Sequence, residues 1–171
     1  TVWLNETSVD GEVSLNRSSV GNSLTLDEAT VGELSVKYAD IAGSVDLTDA
    51  TVEAESDEAD GTVEFKHAAL SRKLKLIRAT VDDGLTVEHT DCKRQVNGKN
   101  LTVGGSLSIQ HSRFDELVWL REDDNSYGSI DINSCEFDSL VISGEVDDGG
   151  VRLWGTEVGD GLGLKGLTVD G

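Results

Sequence analysis

The chain has 171 residues, and we expect residues 1–171 to form one domain that is a segment of a longer protein. Its 33 acidic and 14 basic residues give a formal charge of −19, the wrong sign for a nucleic-acid-binding surface. No stretch approaches the roughly 20 apolar residues that cross a bilayer, so we expect no membrane contact by this segment. Two explanations of the acidity stay open: a halophilic protein adapted to molar salt, and an acidic rod that imitates DNA.

A five-residue repeat begins in the first part of the chain and continues to its last residues. Each unit has apolar residues at its first and third positions, which is the period of a strand with one buried face. None of these inward positions is charged, although 27% of the chain is. The first clear units are Leu24/Leu26, Ala29/Val31, Leu34/Val36, Ala39/Ile41, Val45/Leu47 and Ala50/Val52.

The units alternate between a large-x-large type and a small-x-large type. Units of the same type stack on each other only if four units make one coil, because three-sided coils would place units of different types above each other. The pattern therefore predicts an all-β, parallel, quadrilateral β-helix of about eight coils, each with a length of about 21–22 residues. Taking every fourth unit predicts one column of small residues, Thr7, Ala29, Ala50, Ala68, Thr90, Ser112, Cys135 and Thr156, with Phe114 and Phe137 stacked in the ladder beside it.

The five-residue step resembles that of pentapeptide-repeat proteins. Segments such as Gly150–Gly159 look like a looser branch of that family, with Leu-x-Leu units and inserted glycines. The resemblance implies a right-handed solenoid, in line with the general preference of parallel crossovers. The departure is that alternate units carry Leu, Val or Ile where the strict family has Ala or Ser.

Five slots match the repeat poorly and are predicted to be bulges or loops that leave the coils: 53–61, 93–100, 120–129, 143–150 and one more close to Ala59. Loops on a rigid scaffold often carry function, so residues 93–99 and 121–127 are candidates for contact with a partner. The alternative is that they are tolerated insertions.

The three histidines, His67, His89 and His111, are equally spaced at the length of one coil and should lie above one another at an outward corner. We expect Glu6, Glu28 and Asp49 to precede them in the same column. Imidazoles about 4.8 Å apart are a candidate metal site for zinc or nickel. The alternatives are an exposed residue retained by repeat duplication and a pH-dependent contact.

The remaining motifs predict no catalysis. Cys92 and Cys135 face inward two coils apart, too far for a disulfide, and should be free buried thiols. The sequence has no Ser-His-Asp arrangement, phosphate-binding glycine loop or HExxH motif, so we expect no enzyme and no cofactor.

The leading functional hypothesis is a structural or interaction scaffold, with a protein partner or a flanking domain and possible end-to-end self-association. The alternatives are a DNA-mimicking inhibitor of a DNA-binding enzyme and a metal-binding surface through the three histidines.

Overall fold

The computed structural model describes residues 1–54, 60–122, 124–147 and 149–169. These segments form strands and turns without any helix, and every strand pairing is parallel. The described residues therefore contain no helix that is long and apolar enough to cross a membrane. The predicted all-β, parallel β-helix is therefore confirmed.

The strands are short because the chain turns a corner every few residues. In chain order they are β1 Val2–Trp3, β2 Ser8–Ser14, β3 Ser19–Val20, β4 Leu24–Thr25, β5 Thr30–Lys37, β6 Asp40–Ile41, β7 Val45–Asp46, β8 Thr51–Val52, β9 Val63–Lys66, β10 Ala69–Leu70, β11 Leu74–Lys75, β12 Thr80–Val81, β13 Leu85–Glu88, β14 Asp91–Cys92, β15 Val96–Asn97, β16 Thr102–Gln110, β17 Arg113–Phe114, β18 Val118–Leu120, β19 Ser126–Asn133, β20 Glu136–Ile142, β21 Gly144–Val146, β22 Val151–Trp154, β23 Glu157–Gly163 and β24 Leu167–Val169.

The pairing register defines four walls, numbered here in chain order, so the predicted four-sided coil is confirmed. Wall 1 stacks Val2, Leu24, Val45, Leu74, Val96, Val118, Leu140 and Leu162. Wall 2 stacks Val9, Val31, Val52, Val81, Val103, Tyr127, Val146 and Val169. Wall 3 stacks Val13, Leu34, Val63, Leu85, Leu107, Ile130 and Val151. Wall 4 stacks Val20, Ile41, Leu70, Cys92, Phe114, Phe137 and Val158.

The coil number and one column of the prediction need correction. Successive rungs of wall 1 keep the predicted coil length, except that Val45 pairs with Leu74, which lies well beyond one coil length along the chain. The eight rungs of wall 1 and the seven rungs of wall 4 correspond to about seven full turns, against about eight predicted. Thr51 pairs with Thr80, so the small residue above Ala50 is Ala79 and not Ala68. The error has a physical cause: this turn contains an insertion, and repeat counting cannot tell an inserted segment from a rung.

Two predicted loops are ordinary rungs of the solenoid. In the segment 93–100, Val96 and Asn97 pair with strands on both sides, and Gly98 takes the third inward position. A Cβ at Gly98 would lie 2.5 Å from Leu120 Cδ2, so the leucine of the next turn fills that space. In the segment 143–150, β21 pairs with β19 and β24. Residues 55–59 of the predicted loop 53–61, Asp123 of the predicted loop 120–129 and Asp148 of the predicted loop 143–150 lie outside the described residues.

The predicted loop 120–129 contains part of the core. Asn125 and Tyr127 are 1% and 0% exposed, so Tyr127 is not a surface for a partner. The Asn125 amide donates to Gly98 O (3.0 Å) and to the Tyr127 hydroxyl (2.9 Å), and its Oδ1 accepts from Leu101 N (2.9 Å). A polar residue is tolerated at this inward position because each of its groups has a partner.

The interior is an apolar column from the first turn to the last. Among the described residues the buried polar side chains are Ser35, Thr90, Ser112, Asn125 and Ser143, and none is charged. Phe114 and Phe137 stack at 4.8 Å, as predicted, because the parallel register brings equivalent rings to strand spacing.

The predicted free thiols are also confirmed. Cys92 and Cys135 are both buried and unpaired, and they occupy inward positions two turns apart. Burial raises the pKa of the Cys92 thiol to about 11.

Candidate functional site: an aromatic ladder on one corner

The chain passes from wall 3 to wall 4 through one residue per turn with a left-handed backbone. Tyr38, His67, His89 and His111 have φ between 48° and 56°. This conformation costs a non-glycine residue roughly 1–2 kcal/mol, and it lets the chain change direction within one residue. The side chain at the corner points outward, while the small residue that follows it points inward.

Hydrogen bonds to the next turn hold these corners in place. The amides of His67, His89 and His111 each donate to a carbonyl one turn along the chain, at 2.8 to 3.0 Å. Inside the corner, the Thr90 hydroxyl lies 3.0 Å from Glu88 O and 3.1 Å from Phe65 O, so its single O–H is shared between these two carbonyls. The inward hydroxyl therefore helps to fix the backbone from which His67 and His89 project.

The corner side chains form a continuous stack, which we call the aromatic ladder: Tyr38, His67, His89 and His111. The ring centroids are 4.7, 4.7 and 4.9 Å apart, with interplanar angles of 4°, 9° and 12°. All four residues are exposed, Tyr38 by 60%. The predicted stacking of the three histidines is confirmed.

The rest of the predicted column is wrong. Glu6, Glu28 and Asp49 occupy the corner between walls 1 and 2, where they also have positive φ. The residues that precede His67 in its column are Arg17 and Tyr38, since Asp40 pairs with Ala69. Tyr38 was missed because the long turn displaces it from the regular spacing of the histidines. Its position immediately before Ala39, as His67 comes immediately before Ala68, was the signal that could have identified it.

Charged residues of wall 3 run beside the ladder. Glu64 forms ion pairs with Lys37 and Lys66, the latter at 2.7 Å. Burial opposes ionisation of Glu64, but hydrogen bonds from these two lysines outweigh it and lower the pKa of the carboxyl. Glu88 continues the series, and its Oε1 lies 3.9 Å from His89 Nε2. These charged side chains therefore border the aromatic ladder on the wall 3 side.

The geometry of the ladder does not by itself form a metal site. Two nitrogens on one tetrahedral zinc ion are about 3.3 Å apart, whereas stacked rings hold theirs in parallel at strand spacing. In the described part of the chain, no group of three His, Cys, Asp or Glu side chains is arranged to hold a metal ion. Metal binding through His67, His89 and His111 stays a prediction.

The chain matches no family model, no curated protein and no solved structure. The strand pairings by themselves establish a parallel β-solenoid of stacked coils.

Charge is distributed unevenly along this solenoid, a feature that the overall charge of −19 does not reveal. Residues 1–54 carry ten acidic and two basic residues, and residues 123–171 carry eleven and two. Residues 55–62 carry four acidic residues and no basic ones, whereas residues 63–122 carry eight acidic and ten basic residues, a net charge of +2. The same central turns contain all three histidines. The solenoid therefore has two acidic ends and a central belt, residues 63–122, with the opposite net sign.

Proposed function

We propose that this chain is a non-enzymatic, rod-like scaffold that binds a protein partner along its outer surface. The observation that supports the proposal most is the aromatic ladder, an exposed surface with a regular spacing of 4.7 to 4.9 Å. Tyrosine is enriched where proteins contact each other, and the three stacked imidazoles extend the exposed Tyr38 ring into a longer surface.

The closed interior is consistent with a scaffold. Two of the buried polar groups have structural roles: Asn125 is bonded to three partners, and the Thr90 hydroxyl lies within hydrogen-bond distance of two carbonyls. Burial keeps Cys92 protonated by raising its pKa to about 11, so it is a poor nucleophile. These residues stabilise the solenoid and leave recognition to the outer walls and corners.

A rigid ladder suits recognition because it is already ordered before binding. Each corner is held by a backbone hydrogen bond to the next turn, so a partner does not have to order the main chain. Each imidazole offers a nitrogen donor and a nitrogen acceptor, and the tyrosine adds a hydroxyl. A partner with polar groups at strand spacing would meet several rungs at once.

The proposal is tested by comparing two surface variants in a quantitative pull-down from the native host. The ladder variant is His67→Ser with His89→Ser, and the matched control is Glu6→Ser with Glu28→Ser on the corner between walls 1 and 2. We expect a partner to be retained by the wild type and the control and lost by the ladder variant. Purified partner and wild type must then form a complex in solution. If no host protein distinguishes the ladder variant from the control, the proposed ladder contact is wrong.

We further propose that the chain is pentapeptide-repeat-like and halophilic. The inward first and third positions and the four walls support the former. The formal charge of −19 on 18.2 kDa supports the latter, since molar salt screens such self-repulsion.

End-to-end self-association is a separate part of the scaffold proposal. Apolar side chains are exposed in the first and last turns: Trp3 by 77%, Leu162 by 51% and Val169 by 49%. Sedimentation velocity at increasing protein concentration tests this idea. A single monomeric species at all concentrations would exclude it for this segment.

The DNA-mimic alternative has one observation in its favour. Seven turns at about 4.8 Å span about 34 Å, so −19 corresponds to about one net charge per 1.8 Å, near the one per about 1.7 Å of duplex DNA. The central belt, with its net charge of +2, interrupts this pattern. Inhibition of a topoisomerase that weakens with salt would support the alternative, and no inhibition at low salt would remove it.

A further inference from the structure

The corner between wall 4 and wall 1 carries an open, polar groove. Its lining consists of two hydroxyl side chains, three cationic side chains and one carboxylate: Ser44, Ser71, Arg72, Lys73, Arg94 and Glu116. The groove lies within the central belt and the turn that precedes it. A concentration of cations is unexpected in a chain with more than twice as many acidic as basic residues.

The strand register brings these cations together. Leu70 pairs with Cys92 and Leu74 pairs with Val96, so Arg72 and Arg94 occupy equivalent positions in adjacent turns. On the other side, Val45 pairs with Leu74, which places Ser44 beside Lys73. Residues from three successive turns, far apart in sequence, thus lie within one or two strand spacings.

The ion pairs of this corner are arranged asymmetrically. Arg94 Nη1 is 2.6 Å from Glu116 Oε1, and Lys93 Nζ is 3.1 Å from Asp115 Oδ2. Arg72 and Lys73 are exposed, and no carboxylate of the described residues lies within 4.0 Å of either. Within the described part of the chain, the groove therefore contains two adjacent cations that form no ion pair within 4.0 Å, next to a third cation held in position by Glu116.

We propose that this groove binds a tetrahedral oxyanion, a phosphate or sulfate group. Arginine and lysine side chains make strong charge-assisted hydrogen bonds to such oxygens. The hydroxyls of Ser44 and Ser71 supply neutral donors to the oxygens that remain. Glu116 uses one terminal nitrogen of Arg94, which leaves other N–H groups of that guanidinium for the ligand.

Titration with inorganic phosphate, followed by backbone amide shifts in NMR spectra, tests the site. A parallel titration with potassium chloride at equal ionic strength separates specific binding from screening. We expect phosphate-specific shifts at residues 44, 71–73 and 94. We also expect Arg72→Gln to weaken binding about tenfold or more, because it removes a charge-assisted contact. Glu116→Gln should tighten binding about threefold, since it removes a like charge near the ligand.

The matched control is Arg152→Gln, which makes the same charge change at an exposed position of the last turns. It should leave the affinity for phosphate unchanged. The proposal is overturned if chloride produces the same shifts, or if Arg72→Gln and Arg152→Gln bind phosphate equally well. Amide spectra that overlay outside the groove verify that the exposed substitutions leave the fold intact.

A second arm identifies the source of the group. A short neutral peptide with one phosphoserine is compared with its unphosphorylated form and with inorganic phosphate. Tighter binding of the phosphopeptide indicates a group carried by a protein, and equal binding indicates a free oxyanion. If neither the phosphoserine peptide nor inorganic phosphate binds, the groove is not an oxyanion site, whatever the result for the aromatic ladder.

Discussion

The rings of His67 and His89 lie face to face with 4.7 Å between their centroids, although a whole turn of the solenoid separates them in sequence. The spacing equals the distance between paired parallel strands, because both rings project from the same point of successive turns. The contact is thus a consequence of the solenoid register.

The central ring, His89, is decisive for the predicted metal binding. It is adjacent to both other imidazoles, so His89→Ala removes every adjacent pair, whereas His67→Ala or His111→Ala leaves one. Zinc or nickel binding by the ladder should therefore be abolished by His89→Ala and only reduced by the other two substitutions. Isothermal titration calorimetry measures this. A heat of binding that His89→Ala leaves unchanged would rule out the ladder as the metal site.

Asn125 should be the most sensitive polar residue of the core. Asn125→Ala leaves the Leu101 amide, the Gly98 carbonyl and the Tyr127 hydroxyl buried without their partner. We expect the free energy of unfolding to fall by about 3–5 kcal/mol. Urea denaturation provides the measurement, and the exposed substitution Asn22→Ala should change stability by less than about 0.5 kcal/mol. If the two variants have similar free energies of unfolding, the hydrogen bonds of Asn125 contribute little to stability.

Asp46 should contribute a pH-dependent part of stability. Burial opposes its ionisation, but hydrogen bonds from Lys75 and Thr48 outweigh burial and lower the pKa of the carboxyl. A lowered folded-state pKa stabilises the fold above the ordinary value of about 3.9, and this contribution is lost as the pH falls through the folded value. The difference in unfolding free energy between wild type and Asp46→Asn should therefore be constant from pH 7 to 5 and shrink below about pH 4.

Lys75→Met provides the matching background for this experiment. Without the ammonium group, Asp46→Asn should have a smaller effect at pH 7, and the remaining effect should depend less on pH. Denaturant unfolding of the four variants in this cycle gives the coupling directly. An unchanged pH profile in the Lys75→Met background would assign the effect to Thr48 instead.

Cys92 should resist alkylation in the folded protein. With a pKa of about 11, roughly 0.1% of the thiol is ionised at pH 8, against about a quarter for an ordinary thiol, so labelling by iodoacetamide should slow by roughly 200-fold. Cys135→Ser isolates this thiol and places serine where Ser112 lies one turn earlier. Mass spectrometry follows the reaction, and denaturant should restore an ordinary rate. Rapid labelling of the folded protein would contradict the buried position.

Salt should stabilise the protein, since its net charge is −19. We expect Tm to rise between about 0.1 and 2 M KCl, measured by circular dichroism. Glu33→Gln is an informative variant, because burial and repulsion from Glu12 and Glu64 raise the pKa of Glu33. It should raise Tm at low salt, with a gain that diminishes at high salt. A Tm that falls with salt would argue against halophilic adaptation.

The sequence predicted much of the ladder and little of the groove. The equal spacing of His67, His89 and His111 was sufficient for the stack, because each intervening turn has the same length. Tyr38 lies one long turn away and was missed. The groove joins Ser44 to Arg72 and Arg94 across turns of different length, so counting along the chain could not place them together.

Local sequence was most misleading where an unusual residue occupies an inward position. Asn125 and Gly98 do not fit the apolar pattern, and the segments that contain them were predicted to be loops. In the structure Asn125 is accepted because its amide is fully bonded, and Gly98 because Leu120 fills the space beside it. Such compensation comes from neighbouring turns and leaves no local signal.

From sequence alone, the alternation of inward and outward residues determined that this chain forms coils with an uncharged interior, since side chains two apart in a strand share one face. The alternation of large and small units determined that the coils have four sides. Only the tertiary structure decided which rung lies above which. That depends on the length of each turn, and the insertion between Val45 and Leu74 shifts every later residue relative to those before it. The aromatic ladder and the cationic groove both result from that register.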